Sequence, residues 1–152
     1  MELQLPLSQR TLSAEQTEAL GASLAHHLSA HPELPPFVAL YGDLGVGKTA
    51  FVRGFASLFS DARVKSPTFS LVNEYRGDGP TVFHFDMYRI TDEDELYSIG
   101  FYDYQDRGGI CLVEWSENGP FALPQRYLRV EILKDSFENA DSRLLTVDLV
   151  EN

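Results

Sequence analysis

The stretch FVALYGDLGVGKT, residues 37–49, decides the fold of this chain. An apolar run ends at a glycine, a glycine-rich loop follows, and Lys-Thr opens a segment with helical spacing. The loop fits the phosphate-loop pattern G-x-x-x-x-G-K-[ST], in which glycines let successive main-chain N–H groups point at one polyphosphate. The N-terminus of the next helix presents unpaired donors and a positive dipole end to the same anion. The predicted nucleotide-binding residues of the loop are Gly42, Asp43, Leu44, Gly45, Val46, Gly47, Lys48 and Thr49.

The last two residues of the motif carry its chemistry. Lys48 can reach the β- and γ-phosphates of a triphosphate, and the hydroxyl of Thr49 can hold Mg²⁺. A plain glycine turn between a strand and a helix is the simpler interpretation. Four fixed positions match by chance in fewer than roughly 1 in 100 chains of this length, so the sequence predicts a real nucleotide site.

Length and charge limit the function further. The 152 residues suit one domain with a proper core, so we expect a single phosphate-loop domain over residues 1–152. Twenty-three acidic and twelve basic side chains give a net charge of −11, which argues against a protein that grips nucleic acid by itself. Two of the three lysines, Lys48 and Lys65, lie in or near the predicted site. A generally acidic surface that only keeps the protein soluble is the alternative.

The sequence shows no sign of secretion or of a membrane span. Cys111 lies in the apolar run 110–113 and is predicted to be a buried structural thiol. The N-terminus lacks a basic region followed by an apolar run, and no segment approaches the length of a membrane span. The expected compartment is the cytoplasm.

Periodicity and turn residues predict alternating strands and helices. The predicted elements are an edge strand 1–7, a helix from the capping box at Ser13 to about residue 29, strand 37–41, helix 48–59, a hairpin of strands 70–76 and 81–86, a helix capped by Thr91, and strands 109–115, 127–133 and 144–150. His27 and His31 are expected on the surface at the end of the first helix. The predicted fold class is α/β, a P-loop NTPase-like three-layer sandwich with a mixed sheet that includes an antiparallel hairpin.

Two acidic residues end apolar strands and complete the predicted site. Asp86 ends the run 82–86, and Glu114 ends the run 110–114. Both are expected at the carboxyl edge of the sheet, where ligands bind in such folds. One acid can anchor Mg²⁺ while the other orients or activates the attacking water, and the residues alone leave the assignment open.

Thr68 in the run Ser66-Pro67-Thr68 is a candidate switch residue, whose hydroxyl or carbonyl closes on Mg²⁺ or the γ-phosphate when ATP is bound. A simple turn is the alternative for this run. Arg89 can reach a phosphate or pair with one of the acids. No Asn-Lys-x-Asp segment exists in the chain, so adenine is favoured over guanine.

Taken together, four motifs resemble the TsaE (YjeE) family of small bacterial ATPases in tRNA threonylcarbamoyladenosine synthesis. They are YGDLGVGKT at 41–49, VKSPTF at 64–69, HFDMYR at 84–89 and CLVEW at 111–115. They stand in the order and spacing of that family, and the resemblance extends from about Val38 to Trp115. The departures are Val46, where alanine is common, and Met87, where leucine is usual, and neither removes a chemical group.

The resemblance implies an ATPase with low activity alone, which works with the TsaD–TsaB pair and meets tRNA only indirectly through that complex. It implies that Gly42 to Thr49 hold the phosphates, that Thr49 and Glu114 hold Mg²⁺, and that Asp86 supports the metal shell. It also implies that Ser66 to Phe69 form the switch and that the segment from about Thr11 to Ser13 lies near the nucleotide.

Three functions remain open at this stage. An ATP-hydrolysing accessory protein of a tRNA-modifying complex is the leading hypothesis. A small-molecule kinase would use one of the two acids as a base, although such enzymes usually need an arginine-rich lid. A nucleotide-gated binding module without meaningful turnover is the third.

Overall fold

The computed structural model describes residues 3–42, 47–65, 67, 72–116, 120–135 and 139–152. The strands are β1 Leu7–Thr11, β2 Phe37–Tyr41, β3 Val72–Tyr75, β4 Val82–Asp86, β5 Ile110–Glu114, β6 Arg126–Lys134 and β7 Arg143–Glu151. The α helices are α1 Ala14–Ala30, α2 Lys48–Ser57, α3 Glu93–Ser98 and α4 Phe101–Asp106, and a short 3₁₀ turn spans Pro120–Ala122.

One mixed sheet contains all seven of these strands, in the order β1-β7-β6-β2-β5-β4-β3. The four central strands β6, β2, β5 and β4 run parallel. The outer strands pair antiparallel, including the predicted hairpin of β3 and β4. The parallel centre brings the carboxyl ends of four strands to one edge, and the predicted α/β class is confirmed.

Alternation along the central strands divides the core into two layers. On β5, Ile110 and Leu112 pack with the residues of α1 and α2, whereas Cys111 and Val113 pack with those of α3 and α4. Both faces of the sheet are therefore covered, which gives the predicted three-layer sandwich. Cys111 is buried as predicted, and burial raises the pKa of its thiol to about 12.

Helices α1 and α2 cross where two glycines face the partner backbone. A methyl group on Gly21 would lie 2.2 Å from the Phe51 carbonyl oxygen, and one on Gly54 would lie 1.8 Å from the Glu18 carbonyl oxygen. These distances leave no room for a side chain at either position. The crossing therefore fixes α2 tightly against α1.

Side-chain caps begin helices α1 and α3, and the cap of α3 differs from the predicted one. The Ser13 hydroxyl accepts from the Gln16 amide at 3.1 Å, as the predicted cap requires. Thr91 was predicted to cap α3, but Asp92 occupies that position and accepts from the Glu95 amide at 3.0 Å. Thr91 instead donates to the Glu95 carboxylate, since it stands one residue too early to cap the helix.

Two further expectations are corrected. The edge strand was predicted over residues 1–7 but begins at Leu7, because the alternation of the preceding leucines reflects packing of Leu3 and Leu5 on the core. His27 was expected on the surface but is buried at 9% exposure, since it stands three residues after the fully buried Leu24 on the inner face of α1. No helix in the part of the chain described above has the length and apolarity to cross a membrane.

We predict that Gly54→Ala destabilises the protein although alanine favours helices. The helix propensity gain is about 1 kcal/mol, whereas forcing the two backbones apart costs more, so we expect a net loss of at least about 2 kcal/mol in the free energy of unfolding. Urea denaturation measures this loss. Gly79→Ala is the matched control, since a methyl group there meets only the Phe59 ring at 3.9 Å; equal stability of the two variants would contradict the close crossing.

Candidate functional site

The site is built on the ends of three neighbouring parallel strands. Leu40 on β2 lies opposite Glu114 on β5, and Glu114 lies opposite Asp86 on β4. Gly42 follows β2 directly, and Lys48 begins α2. The sheet register thus brings the two predicted acids to the edge at which the phosphate loop starts.

The side chain of Lys48 contacts Gly42, the first residue of the phosphate-loop motif. Its ammonium donates to the Gly42 carbonyl at 2.8 Å and lies 3.7 Å from the centroid of the Trp115 ring. The side chain is only 6% exposed. The fold therefore holds a positive charge at the start of α2, and the hydrogen bond to Gly42 and the cation–π contact with Trp115 help to offset its desolvation.

Trp115 adopts a backbone conformation that residues other than glycine rarely adopt. Its φ is 58°, the left-handed region, where a bulky residue is strained. This conformation follows directly after Glu114 and places the indole ring over the Lys48 ammonium and 5.0 Å from the Tyr88 ring. Trp115 also packs on the core layer that contains α3 and α4, so its ring joins that layer to Lys48.

Asp86 is a buried carboxylate at 7% exposure. Its Oδ1 accepts from the Tyr88 amide at 2.9 Å. Burial raises the pKa of Asp86 above its ordinary value, and the charge of Glu114 acts in the same direction, against the Tyr88 hydrogen bond and the charge of Lys48. The fold therefore keeps at the sheet edge an acid whose charged form is poorly solvated.

Glu114 is buried and has a histidine partner that the sequence analysis missed. His84 Nε2 bonds the Glu114 carboxylate, and His84 Nδ1 lies 2.9 Å from the Tyr75 hydroxyl. His84 stands two residues before Asp86 on β4, so both project from the same face of the sheet. That spacing in the motif HFD was the available signal for His84, whereas nothing in the sequence pointed to Tyr75.

The described residues of the phosphate-loop motif are Gly42, Gly47, Lys48 and Thr49. Gly47 caps α2 with a φ of 108°, a conformation that suits glycine, and Thr49 is exposed in the first turn of that helix. Arg89 is exposed. Asp43, Leu44, Gly45 and Val46 lie outside the described residues, as do Thr68 and all of the predicted switch except Pro67.

Thr11, which the resemblance places near the nucleotide, contacts helix α1. It is fully buried, and its hydroxyl shares a hydrogen bond of 2.7 Å with that of Thr17. Thr17 in turn lines a cavity of about 70 Å³, which Gly47, Asp141 and Arg143 also line. The structure thus brings Thr17, which Thr11 contacts, to the wall of this cavity.

The donor set of the site suits a hard cation. Two carboxylates, Asp86 and Glu114, are brought together with a helix N-terminus that carries the Thr49 hydroxyl, and oxygen ligands are those that Mg²⁺ prefers. Within the described ranges there is no cluster of three or more histidine, cysteine, aspartate or glutamate side chains that could hold a metal by itself. Such a site fits a magnesium ion held with one or two carboxylates and the phosphates of a substrate.

Known proteins are similar to this chain in sequence. The sequence model of the family "Threonylcarbamoyl adenosine biosynthesis protein TsaE" matches residues 11–144. The tRNA threonylcarbamoyladenosine biosynthesis protein TsaE of Haemophilus influenzae is 43% identical over 114 residues, which cover 74% of this chain and 71% of the relative. The protein of that name from Bacillus subtilis is 36% identical over 147 residues, which cover 96% of this chain and 87% of the relative.

A solved structure matches the fold as well. The crystal structure of YdiB from Bacillus subtilis superposes with a TM-score of 0.69 at 32% sequence identity, covering 96% of this chain and 86% of that one. The match extends well beyond the region from Val38 to Trp115 in which the four motifs lie. This chain belongs to the TsaE family.

Proposed function

We propose that this protein binds ATP with Mg²⁺ and hydrolyses it in support of tRNA threonylcarbamoyladenosine synthesis. One observation carries the proposal: the Lys48 ammonium and the carboxylates of Asp86 and Glu114 are buried together where a phosphate loop enters a helix. Membership of the TsaE family supplies the biological process. The absence of a guanine-recognition segment from the sequence favours ATP.

Each residue has a defined role in this proposal. The main-chain amides of residues 42–47 and the Lys48 ammonium hold the phosphates. Thr49 and Glu114 hold Mg²⁺, which when bound supplies charge stabilisation to the phosphoryl group. Asp86 orients water around the metal, and Thr68 senses the terminal phosphate. Thr11 acts indirectly, by fixing Thr17 beside Gly47.

We further propose that the protein is an accessory subunit that supports turnover of a TsaD–TsaB pair in the cytoplasm and has weak activity alone. The net charge of −11 makes direct capture of tRNA unfavourable. Contact with tRNA therefore passes through the partner proteins.

Lys48→Ala is expected to weaken ATP binding by about 10- to 100-fold, because a buried charge-assisted hydrogen bond to phosphate contributes about 1.5–3 kcal/mol. Isothermal calorimetry with MgATP measures the effect. Lys134→Ala removes an exposed lysine from the end of β6 and should bind as the wild type does. Equal affinity of the two variants would place the phosphates elsewhere.

Glu114→Gln is expected to retain the fold and ATP binding while phosphate release falls by at least about 100-fold. Glutamine keeps the shape of the side chain and an oxygen that can accept from His84, but it loses the negative charge. Phosphate release should be measured with and without TsaD–TsaB proteins, with thermal melts alongside. A collapsed fold would make Glu114 structural, and a phosphorylated small molecule in place of free phosphate would indicate a kinase.

Asp86→Asn is expected to raise the melting temperature in metal-free buffer near pH 7. The folded protein raises the pKa of Asp86, so it binds the proton more readily than the unfolded chain does. Stability is therefore lost as pH rises through the two pKa values, and asparagine avoids this loss. The gain should vanish below about pH 4, where aspartate is protonated in both states. The exposed Asp78→Asn is the control, and an equal shift in both variants would contradict the cause given.

A further inference from the structure

A buried chain of hydrogen bonds lies behind Glu114 and leads to the main chain at Lys65. Tyr75 is 3% exposed, His84 is fully buried and Glu114 is 5% exposed. The Tyr75 hydroxyl lies 2.9 Å from His84 Nδ1, and it also lies 3.3 Å from the Lys65 amide nitrogen and 3.0 Å from the Lys65 carbonyl oxygen. These hydrogen bonds join β3, β4 and the segment at Lys65 to the carboxylate of Glu114.

The Glu114 carboxylate fixes one donor in this series of hydrogen bonds. A carboxylate only accepts, so His84 Nε2 carries the proton that it shares with Glu114. His84 Nδ1 shares a second hydrogen bond with the Tyr75 hydroxyl. The Tyr75 oxygen in turn accepts from the Lys65 amide.

The Lys65 carbonyl oxygen accepts from the Tyr75 hydroxyl at 3.0 Å and from the Asn73 side-chain amide at 2.9 Å. Tyr75 and His84 thus link the main chain at Lys65 to the Glu114 carboxylate through an unbroken series of hydrogen bonds.

We propose that Tyr75 and His84 are positioning residues that fix the orientation of the Glu114 carboxylate and couple it to the backbone at Lys65. Tyr75 holds the His84 ring at Nδ1, and Nε2 of that ring holds one Glu114 oxygen, which leaves the other oxygen for the site at the sheet edge. This inference rests on the proposed function in that Glu114 is taken to hold Mg²⁺. Partners of this kind typically change metal affinity or activity by 10- to 100-fold when they are removed.

A purely structural role is the competing explanation, since any buried histidine needs hydrogen-bond partners. The two explanations differ in what moves when one hydroxyl is removed. A structural pair affects only folding stability, whereas a positioning pair also changes the Mg²⁺ requirement of the reaction.

Three variants separate these explanations in the full-length protein. Tyr75→Phe removes the hydroxyl and keeps the ring. His84→Leu removes both ring nitrogens, and His84→Gln restores one amide donor close to the position of Nε2. Tyr104→Phe is the matched control, because that ring packs on Phe83 and Phe85 on the opposite face of the sheet.

The Mg²⁺ concentration at half-maximal phosphate release is the main measurement. We expect it to rise about 10-fold in Tyr75→Phe and up to about 100-fold in His84→Leu, with His84→Gln recovering most of the loss. Binding of ADP without metal should stay at the wild-type level in all variants, because the phosphate loop is untouched. An unchanged Mg²⁺ requirement in Tyr75→Phe would overturn the proposal.

Thermal melts of nucleotide-free protein provide a second measurement that does not need activity. The losses of stability caused by Tyr75→Phe and His84→Gln should not be additive in the double variant, whereas those caused by Tyr104→Phe and His84→Gln should be additive. Additive losses in the Tyr75–His84 pair would overturn the coupling. Wild-type protein without ATP binding or phosphate release would instead overturn the proposed function, and the melts would then decide the coupling alone.

Discussion

Parallel pairing of β2, β5 and β4 is the constraint on which the rest of the site depends. It sets Leu40, Glu114 and Asp86 side by side across three strands, so that two acids meet at the edge where the loop after β2 begins. A slip of one residue in either pairing would turn one carboxylate to the opposite face, into the layer formed with α3 and α4. Burial of the apolar residues on both faces of β4 and β5 fixes that register. The hydrophobic core therefore determines the chemistry at its edge.

Burial of the charged groups at the site lowers the stability of the folded state. Asp86 loses solvation, and the neighbouring charge of Glu114 adds to the effect. Lys48 is also buried, and the strained backbone of Trp115 brings an aromatic face against its ammonium. Charged groups held in a dry, fixed arrangement act strongly on a ligand that develops charge, because no solvent reorganises around them. Asp86, Lys48 and Trp115 thus lower the stability of the folded protein, as residues of binding sites commonly do.

Local sequence signals predicted much of this arrangement, and the rest depends on contacts between distant residues. Ser13 could be assigned because a cap is decided within four residues, and the hairpin of β3 and β4 because its turn residues adjoin its strands. The strand-end positions of Asp86 and Glu114 followed from their apolar runs. The spacing of His84 from Asp86 could have placed it on the face of the site, but its bond to Glu114 could not be predicted, since β4 is buried on both faces and alternation gives no reason to choose a partner from β5. The contact of Trp115 with Lys48 could not be predicted either, because its left-handed backbone leaves no trace in composition.

The close crossing of α1 and α2 determines the position of Lys48 and therefore the geometry of the site. Gly21 and Gly54 allow the two backbones to approach so closely that α2, and with it Lys48 at its first position, is held against α1. The same approach sets Thr17 of α1 4.0 Å from the position of a side chain on Gly47, at the wall of the cavity beside the loop. Because α1 is the longer helix and packs on the sheet, it fixes the direction in which the N-terminus of α2 points. The small residues in the helices thus place the positive end of α2, while the sheet register places the acids that face it.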